Sequence, residues 1–182
     1  MKKSVVVAAL WAAFIVSGAH ASESAVPQIG DMPIALNDFG NDQHGEPIDL
    51  NALHGQVVVL TFWASWCGPC LNEMDTLGRL AQVPAAQGKL AIVAMNYHES
   101  WDLFRRIKIV FKTLPLTLGW ASTGLTGKYG VKSIPNMFII GKDGRIAEHH
   151  VGYSEKSLDH FIDEINELLN APPSAGQSAT GS

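Results

Sequence analysis

The chain has 182 residues, 47% of them hydrophobic and 16% charged, with a formal net charge of −4 at pH 7. An acidic balance argues against a nucleic-acid partner, which would call for a basic face. The length suits one domain with its own core once the two ends are set aside.

Lys2 and Lys3 precede an unbroken apolar run of 12 residues, Val5 to Val16, and Ala19-His20-Ala21 offers the small-x-small pattern of a signal-peptidase site. The run falls short of the roughly 20 apolar residues that a membrane span requires. Residues 1–21 are therefore expected to be a cleaved signal peptide, which places the protein in the periplasm or otherwise outside the cytoplasm. The alternative, an uncleaved N-terminal anchor, would hold the same domain at the outer face of the membrane. Residues 171–182, "APPSAGQSATGS", offer no large apolar side chain to bury and are expected to form a disordered tail. Residues 22–170 remain as the folded domain.

Within it, "QVVVLTFWA" (56–64) is a short apolar run rich in β-branched residues, the pattern of a central strand covered on both faces. Immediately afterwards Leu71, Met74, Leu77 and Leu80 or Ala81 recur at helical spacing. "KLAIVAMN" (89–96) predicts a second buried strand, and "ESWDLFRRIKIVFK" (99–112) a helix with Trp101, Phe104, Lys108 and Phe111 on one line. "PLTLGW" predicts a short strand and "TGLTGKYG" a short helix ended by Gly130. "NMFIIGKDGRIAEHHVG" predicts two strands about the turn 141–144. The last helix spans Glu155 to Leu169, with Ser154 as its cap and Leu158, Phe161, Ile162, Ile165, Leu168 and Leu169 as its apolar stripe. Alternating strands and helices imply an α/β fold, a sheet with helices on both faces.

The only two cysteines, Cys67 and Cys70, stand at the junction of the first strand and first helix, with Gly68 and Pro69 between them. As a staple they would do little, since closing so short a loop stabilises by roughly 2 kcal/mol, against about 3 for a 15-residue loop. As a metal clip they lack partners: a closed zinc site takes about four ligands, and the histidines show no recognisable ligand spacing. His149 and His150, adjacent on a strand, point to opposite faces and cannot easily share one ion. No metal site is expected from spacing.

A redox reagent fits the local sequence better. At the start of a helix, unpaired backbone N–H groups and the positive end of the dipole face the Cys67 sulfur and favour its thiolate. Pro69, which has no N–H, suits the first helical turn. Lowering a thiol pKa from about 8.5 to about 7 raises the thiolate fraction at pH 7.5 from roughly 9% to roughly 76%. Cys67 is then the nucleophile, and Cys70, one turn further in, resolves the mixed disulfide. No cofactor beyond this disulfide is required.

"VVVLTFWASWCGPC" resembles the active-site strand and turn of the thioredoxin superfamily, and the similarity runs over nearly the whole domain. The resemblance implies a thioredoxin fold, a central mixed β-sheet flanked by helices. "VKSIPNMFII" resembles the second active-site loop, which implies a cis proline at Pro135 and substrate pairing through the backbone of Ile134. Within the superfamily the chain resembles the TlpA/ResA-like extracytoplasmic thiol-disulfide oxidoreductases. Its lead-in, "IGDMPIALNDFGNDQHGEPIDLNALHGQVVVLTFW", is similar to their N-terminal hairpin and short helix, residues from about 97 to 122 to their central αβ insertion, and Glu99 to a glutamate near the active site.

Two departures stand out. Thr61 replaces the buried aspartate that helps deprotonate the second cysteine of cytoplasmic thioredoxins, which leaves Glu99 as the expected substitute, with His98 placed to tune it. Asp75 stands where many relatives have a helix-kinking proline. Trp66 is expected at the active-site rim, in contact with substrate, and Trp63 in the core. Arg105, Arg106, Lys108 and Lys112 give the insertion helix a basic, solvated face.

The resemblance implies a reductase of protein disulfides, supplied with electrons by a membrane thiol carrier of the DsbD or CcdA type and serving cytochrome c maturation or copper-site assembly. A monomer is expected. Two other functions stay open on the sequence: a copper-binding assembly chaperone and a periplasmic dithiol oxidase.

Overall fold

The computed structural model describes residues 26–34 and 39–172, with the backbone alone for Glu155 and Lys156. The signal-peptide segment 1–21 and the end of the expected tail lie outside the described residues. Among the described residues five strands form one sheet in the order β3-β2-β1-β4-β5. They are β1 (Val57–Trp63), β2 (Leu90–Asn96), β3 (Thr117–Trp120), β4 (Asn136–Ile140) and β5 (Ile146–Val151). The helices are α1 (Gly68–Gln82), α2 (Trp101–Ile107), α3 (Thr123–Lys128) and α4 (Glu155–Asn170).

β1 pairs in parallel with β2 and antiparallel with β4, so it is central and all seven of its residues are buried. That is why its sequence is a continuous apolar run. Alternation divides it between two cores. Val57, Val59 and Trp63 pack with Met74 and Leu77 of α1 and with Phe161 and Ile165 of α4. Val58, Leu60 and Phe62 pack on the opposite face with Phe39, Ile48, Leu125 and Tyr129. Thr61 belongs by alternation to the first face, under α1.

The lead-in forms a turn closed by the bridge Asn41 to Pro47, followed by a 3-10 turn at Leu50–Leu53, a reduced version of the expected hairpin and helix. It covers the edge of β3: Gln43 accepts from the Leu118 N–H at 2.6 Å and donates to the Leu116 carbonyl at 2.9 Å. Lys108 also donates to the Gln43 carbonyl. The insertion departs from one regular helix, because α2 tightens into a 3-10 segment at Lys108–Phe111. Ile109 and Val110, β-branched and exposed, give that stretch weak helix preference. α1 runs without a break through Asp75, which pairs with Arg79 at 2.8 Å.

α3 ends as expected at Gly130, whose φ of 62° is left-handed. Ser154 caps α4 in a reciprocal box with Ser157.

Candidate active site

Three chain segments converge at the end of the sheet where β1 finishes. The first is the turn 64–67, which hands β1 to α1. Cys67 is the N-cap residue of α1, and its sulfur accepts from the Cys70 N–H at 3.3 Å. Cys67 and Cys70 form a disulfide with Cα atoms 5.2 Å apart. Cys70 is completely buried, Cys67 is 6% exposed, and Trp66 beside it is 68% exposed. Cys67 thus lies at a helix N-terminus, with the second cysteine shielded behind it and Trp66 exposed beside it. Trp63 is core, its indole N–H donating to the Ala94 carbonyl at 3.3 Å.

The second segment is the loop before β4. The Ile134–Pro135 bond is cis. Because Phe62 pairs with Asn136, this loop comes out beside the end of β1. The Pro135 carbonyl accepts from the Gly152 N–H at 2.8 Å, whereas the Ile134 backbone forms no hydrogen bond among the described residues.

The third segment follows β2 and carries Glu99, which is 7% exposed. One carboxylate oxygen accepts from the Ser65 N–H at 3.0 Å and from Asn96 Nδ2 at 2.6 Å, and the other accepts from the Ser65 hydroxyl. Glu99 therefore grips the turn two residues before Cys67. His98 does not face it: its ring stacks on Tyr97 with centroids 3.9 Å apart, and Nε2 lies 3.1 Å from Thr126 Oγ1. His98 also holds a left-handed φ of 54°, unusual for a residue with a side chain.

One residue of the site was not singled out in the sequence. Glu73 is 2% exposed, and its Oε1 accepts from Thr61 Oγ1 at 2.7 Å. It lies three residues beyond Cys70, and side chains at that spacing are neighbours on one helix face. Burial disfavours its charged form and raises its pKa to about 7, the Thr61 hydrogen bond opposing the rise. Two signals pointed to it. Glu73 falls on the apolar stripe formed by Cys70, Met74, Leu77 and Ala81, and Thr61 is the lone polar residue of "VVVLTFW". The two anomalies are partners, one on each side of the helix–sheet interface. The position that holds aspartate in cytoplasmic thioredoxins thus has a carboxylate beside it after all, supplied by the helix.

The Redoxin family model matches residues 22–167. The thioredoxin-like protein YneN of Bacillus subtilis is 32% identical over 65% of this chain and 71% of its own length. The thiol-disulfide oxidoreductase ResA of Bacillus cereus is 30% identical over 72% of this chain and 76% of its own. A Chlorobium tepidum structure bearing the name thiol:disulfide interchange protein DsbE superposes with a TM-score of 0.66 at 26% identity, covering 79% of this chain and 99% of that one.

Proposed function

Since this chain belongs to the Redoxin family and is a thiol-disulfide oxidoreductase of the ResA type, we propose that it works outside the cytoplasm as a reductase of protein disulfides. The observation that carries this reading is the buried Glu73 one helical turn from the buried Cys70, behind a Cys67 held at a helix N-terminus. The Cys67 thiolate attacks one sulfur of a substrate disulfide, and the other substrate sulfur leaves and takes up a proton. Cys70 then passes its proton to Glu73 and attacks Cys67 Sγ, which releases the second substrate thiol and closes the Cys67–Cys70 disulfide. Two electrons pass to the substrate. A carboxyl poised near pH 7 is matched to that proton transfer.

In this scheme Trp66 and the Ile134 backbone contact the substrate chain beside Pro135, and Glu99 positions the turn that carries Cys67. No cofactor is needed beyond the disulfide, and one copy suffices. A membrane thiol carrier of the DsbD or CcdA type returns the protein to the dithiol. Its substrates are cysteine pairs of proteins awaiting haem or copper.

The equilibrium potential against a dithiothreitol series tests direction. A value near the roughly −270 mV of a CGPC reductase is expected, and one near about −120 mV would make the protein an oxidant. Cys70→Ser is expected to accumulate mixed disulfides that identify the substrates, and Cys67→Ser to trap almost none. Equal trapping by both would overturn the assigned roles. Tight one-to-one retention of copper by the dithiol would favour an assembly chaperone instead.

A further inference from the structure

Spacing along the chain shows no metal site, and the two adjacent histidines of β5 do face opposite ways. The His149 ring stacks on Phe138 with centroids 4.0 Å apart, and its Nε2 lies 3.0 Å from Asn136 Oδ1. His150 turns instead toward α4. Glu148, two residues earlier, shares that face, because Glu148 and His150 stand opposite Ile139 and Met137, which pack in the core with Phe161 and Ile165 of α4. From α4 itself come His160 and Glu164, one turn apart on the helix.

His150 Nε2 lies 2.7 Å from Glu164 Oε2, and His160 Nε2 lies 3.0 Å from Glu164 Oε1. Ligand atoms of Glu148, His150 and Glu164 all fall within 4.8 Å of one another. The side chains of His150 and Glu164 are 19% and 15% exposed.

We propose that Glu148, His150 and Glu164, with His160 as fourth donor, bind a divalent transition-metal ion of the Zn2+ kind and clamp α4 to the edge strand β5. The charges of the cluster call for a cation. Two half-buried carboxylates approach within 4.8 Å, and the Glu148 carboxylate makes no hydrogen bond or ion pair among the described residues to offset its charge. The donor set selects the metal: two imidazole nitrogens and two carboxylate oxygens suit zinc and its neighbours. Ca2+ takes six to eight oxygens, more than two carboxylates supply. The absence of sulfur in the set disfavours Cu(I).

Tetrahedral zinc with ligands at about 2.0–2.1 Å separates adjacent donors by about 3.4 Å. The two histidine–glutamate separations, 2.7 and 3.0 Å, fall a little short of that value, and the three-residue group is contained within 4.8 Å. His160, 68% exposed on its side chain and 3.0 Å from Glu164 Oε1, completes the set by turning its imidazole toward the ion. Because the donors come from two elements that meet only in the folded chain, binding the ion stabilises the fold and the packing of α4 in particular.

The site is independent of the cysteine chemistry, so the test uses the full-length protein, free of any histidine tag, with the Cys67–Cys70 disulfide closed and no thiol able to ligate. Zn2+ alone is titrated by calorimetry. One equivalent is expected to bind. His150→Gln and Glu164→Gln should each weaken binding at least about tenfold, and His160→Ala by a smaller factor. His149→Ala, on the other face of β5, should leave affinity unchanged. At free Zn2+ about 100 times its Kd, the wild-type melting temperature should rise by ~5 °C or more, and the rise should vanish in His150→Gln. Circular dichroism of each metal-free variant checks that it has folded. X-ray absorption of the zinc form should show imidazole and oxygen donors without sulfur. Absence of one-to-one binding, unchanged affinity in folded His150→Gln, or sulfur in the coordination shell would each overturn the proposal.

Discussion

Two carboxylates flank the cysteine turn, both nearly buried, and their surroundings differ. Glu99 receives three hydrogen bonds, two from Ser65 and one from Asn96. Glu73 receives one, from Thr61, and otherwise faces the apolar packing between α1 and the sheet. Several converging donors make a carboxylate a strut, which fixes the loop that supplies them. A single donor in apolar surroundings leaves the charged form poorly solvated, so the group holds a proton up to about pH 7. In the proposed mechanism, then, the number of donors rather than burial alone distinguishes the proton carrier Glu73 from Glu99, which the sequence had suggested for that role.

The largest expected effect that would break this contrast is on stability. Glu73 binds its proton more tightly in the native state, where its pKa is raised from 4.5 to about 7, than in the unfolded chain. Between those values the native state holds more protons, so stability falls as pH rises, and the loss is complete above about pH 7. A shift of this size corresponds to about 3 kcal/mol. Glu73→Gln should lack that loss, gaining on the wild type at pH 8 relative to pH 4.5 in denaturant melts of the disulfide form. Parallel pH–stability curves for the two proteins would remove Glu73 from the role.

Next comes the rate of resolving a mixed disulfide. Glu73→Gln is expected to slow it about 100-fold and to abolish the inflection near pH 7. Glu99→Gln should lower the rate while keeping the inflection, because it weakens the hydrogen bonds that hold the turn carrying Cys67. Stopped-flow profiles from pH 5 to 9 separate the two, and an inflection lost with Glu99 instead would exchange their roles. A smaller effect is expected from Glu99→Ala, which leaves the Ser65 N–H and Asn96 Nδ2 without their acceptor and should cost about 2 kcal/mol in a chemical melt.

The smallest change sharpens the contrast. Thr61→Val removes the hydrogen bond that the Glu73 carboxylate accepts from the Thr61 hydroxyl, at nearly constant shape. A net hydrogen bond contributes about 1 kcal/mol, so the Glu73 midpoint should move upward by less than about one pH unit. The carboxyl carbon chemical shift followed by NMR reads this directly, and a downward movement would contradict the assigned geometry.

Much of the site was legible because its signals are local. The strand before Cys67 and the helix after it follow from residue periodicity, and the Cys67–Cys70 pair from their junction. Pro135 was placed by resemblance, and its bond to Ile134 is cis as that resemblance implied. The split of the insertion into α2 and a 3-10 segment was not legible, since Trp101, Phe104, Lys108 and Phe111 still fit one helical line. The apolar line hid the weak helix preference of the β-branched Ile109 and Val110, and it could not show that Lys108 donates to the Gln43 carbonyl, 65 residues away in the chain.

By itself the sequence determined the order of strands and helices, the buried character of β1 and the placement of a cysteine pair at a helix N-terminus. Each of these rests on side-chain period or on the geometry of one helix end, interactions that span a few residues. Only the tertiary structure decided that Thr61 meets Glu73, that Glu99 holds Ser65, and that Glu148 and His150 meet Glu164. Those pairings depend on which faces the chain brings together, and a buried or clustered carboxylate has its chemistry set by the neighbours it acquires there.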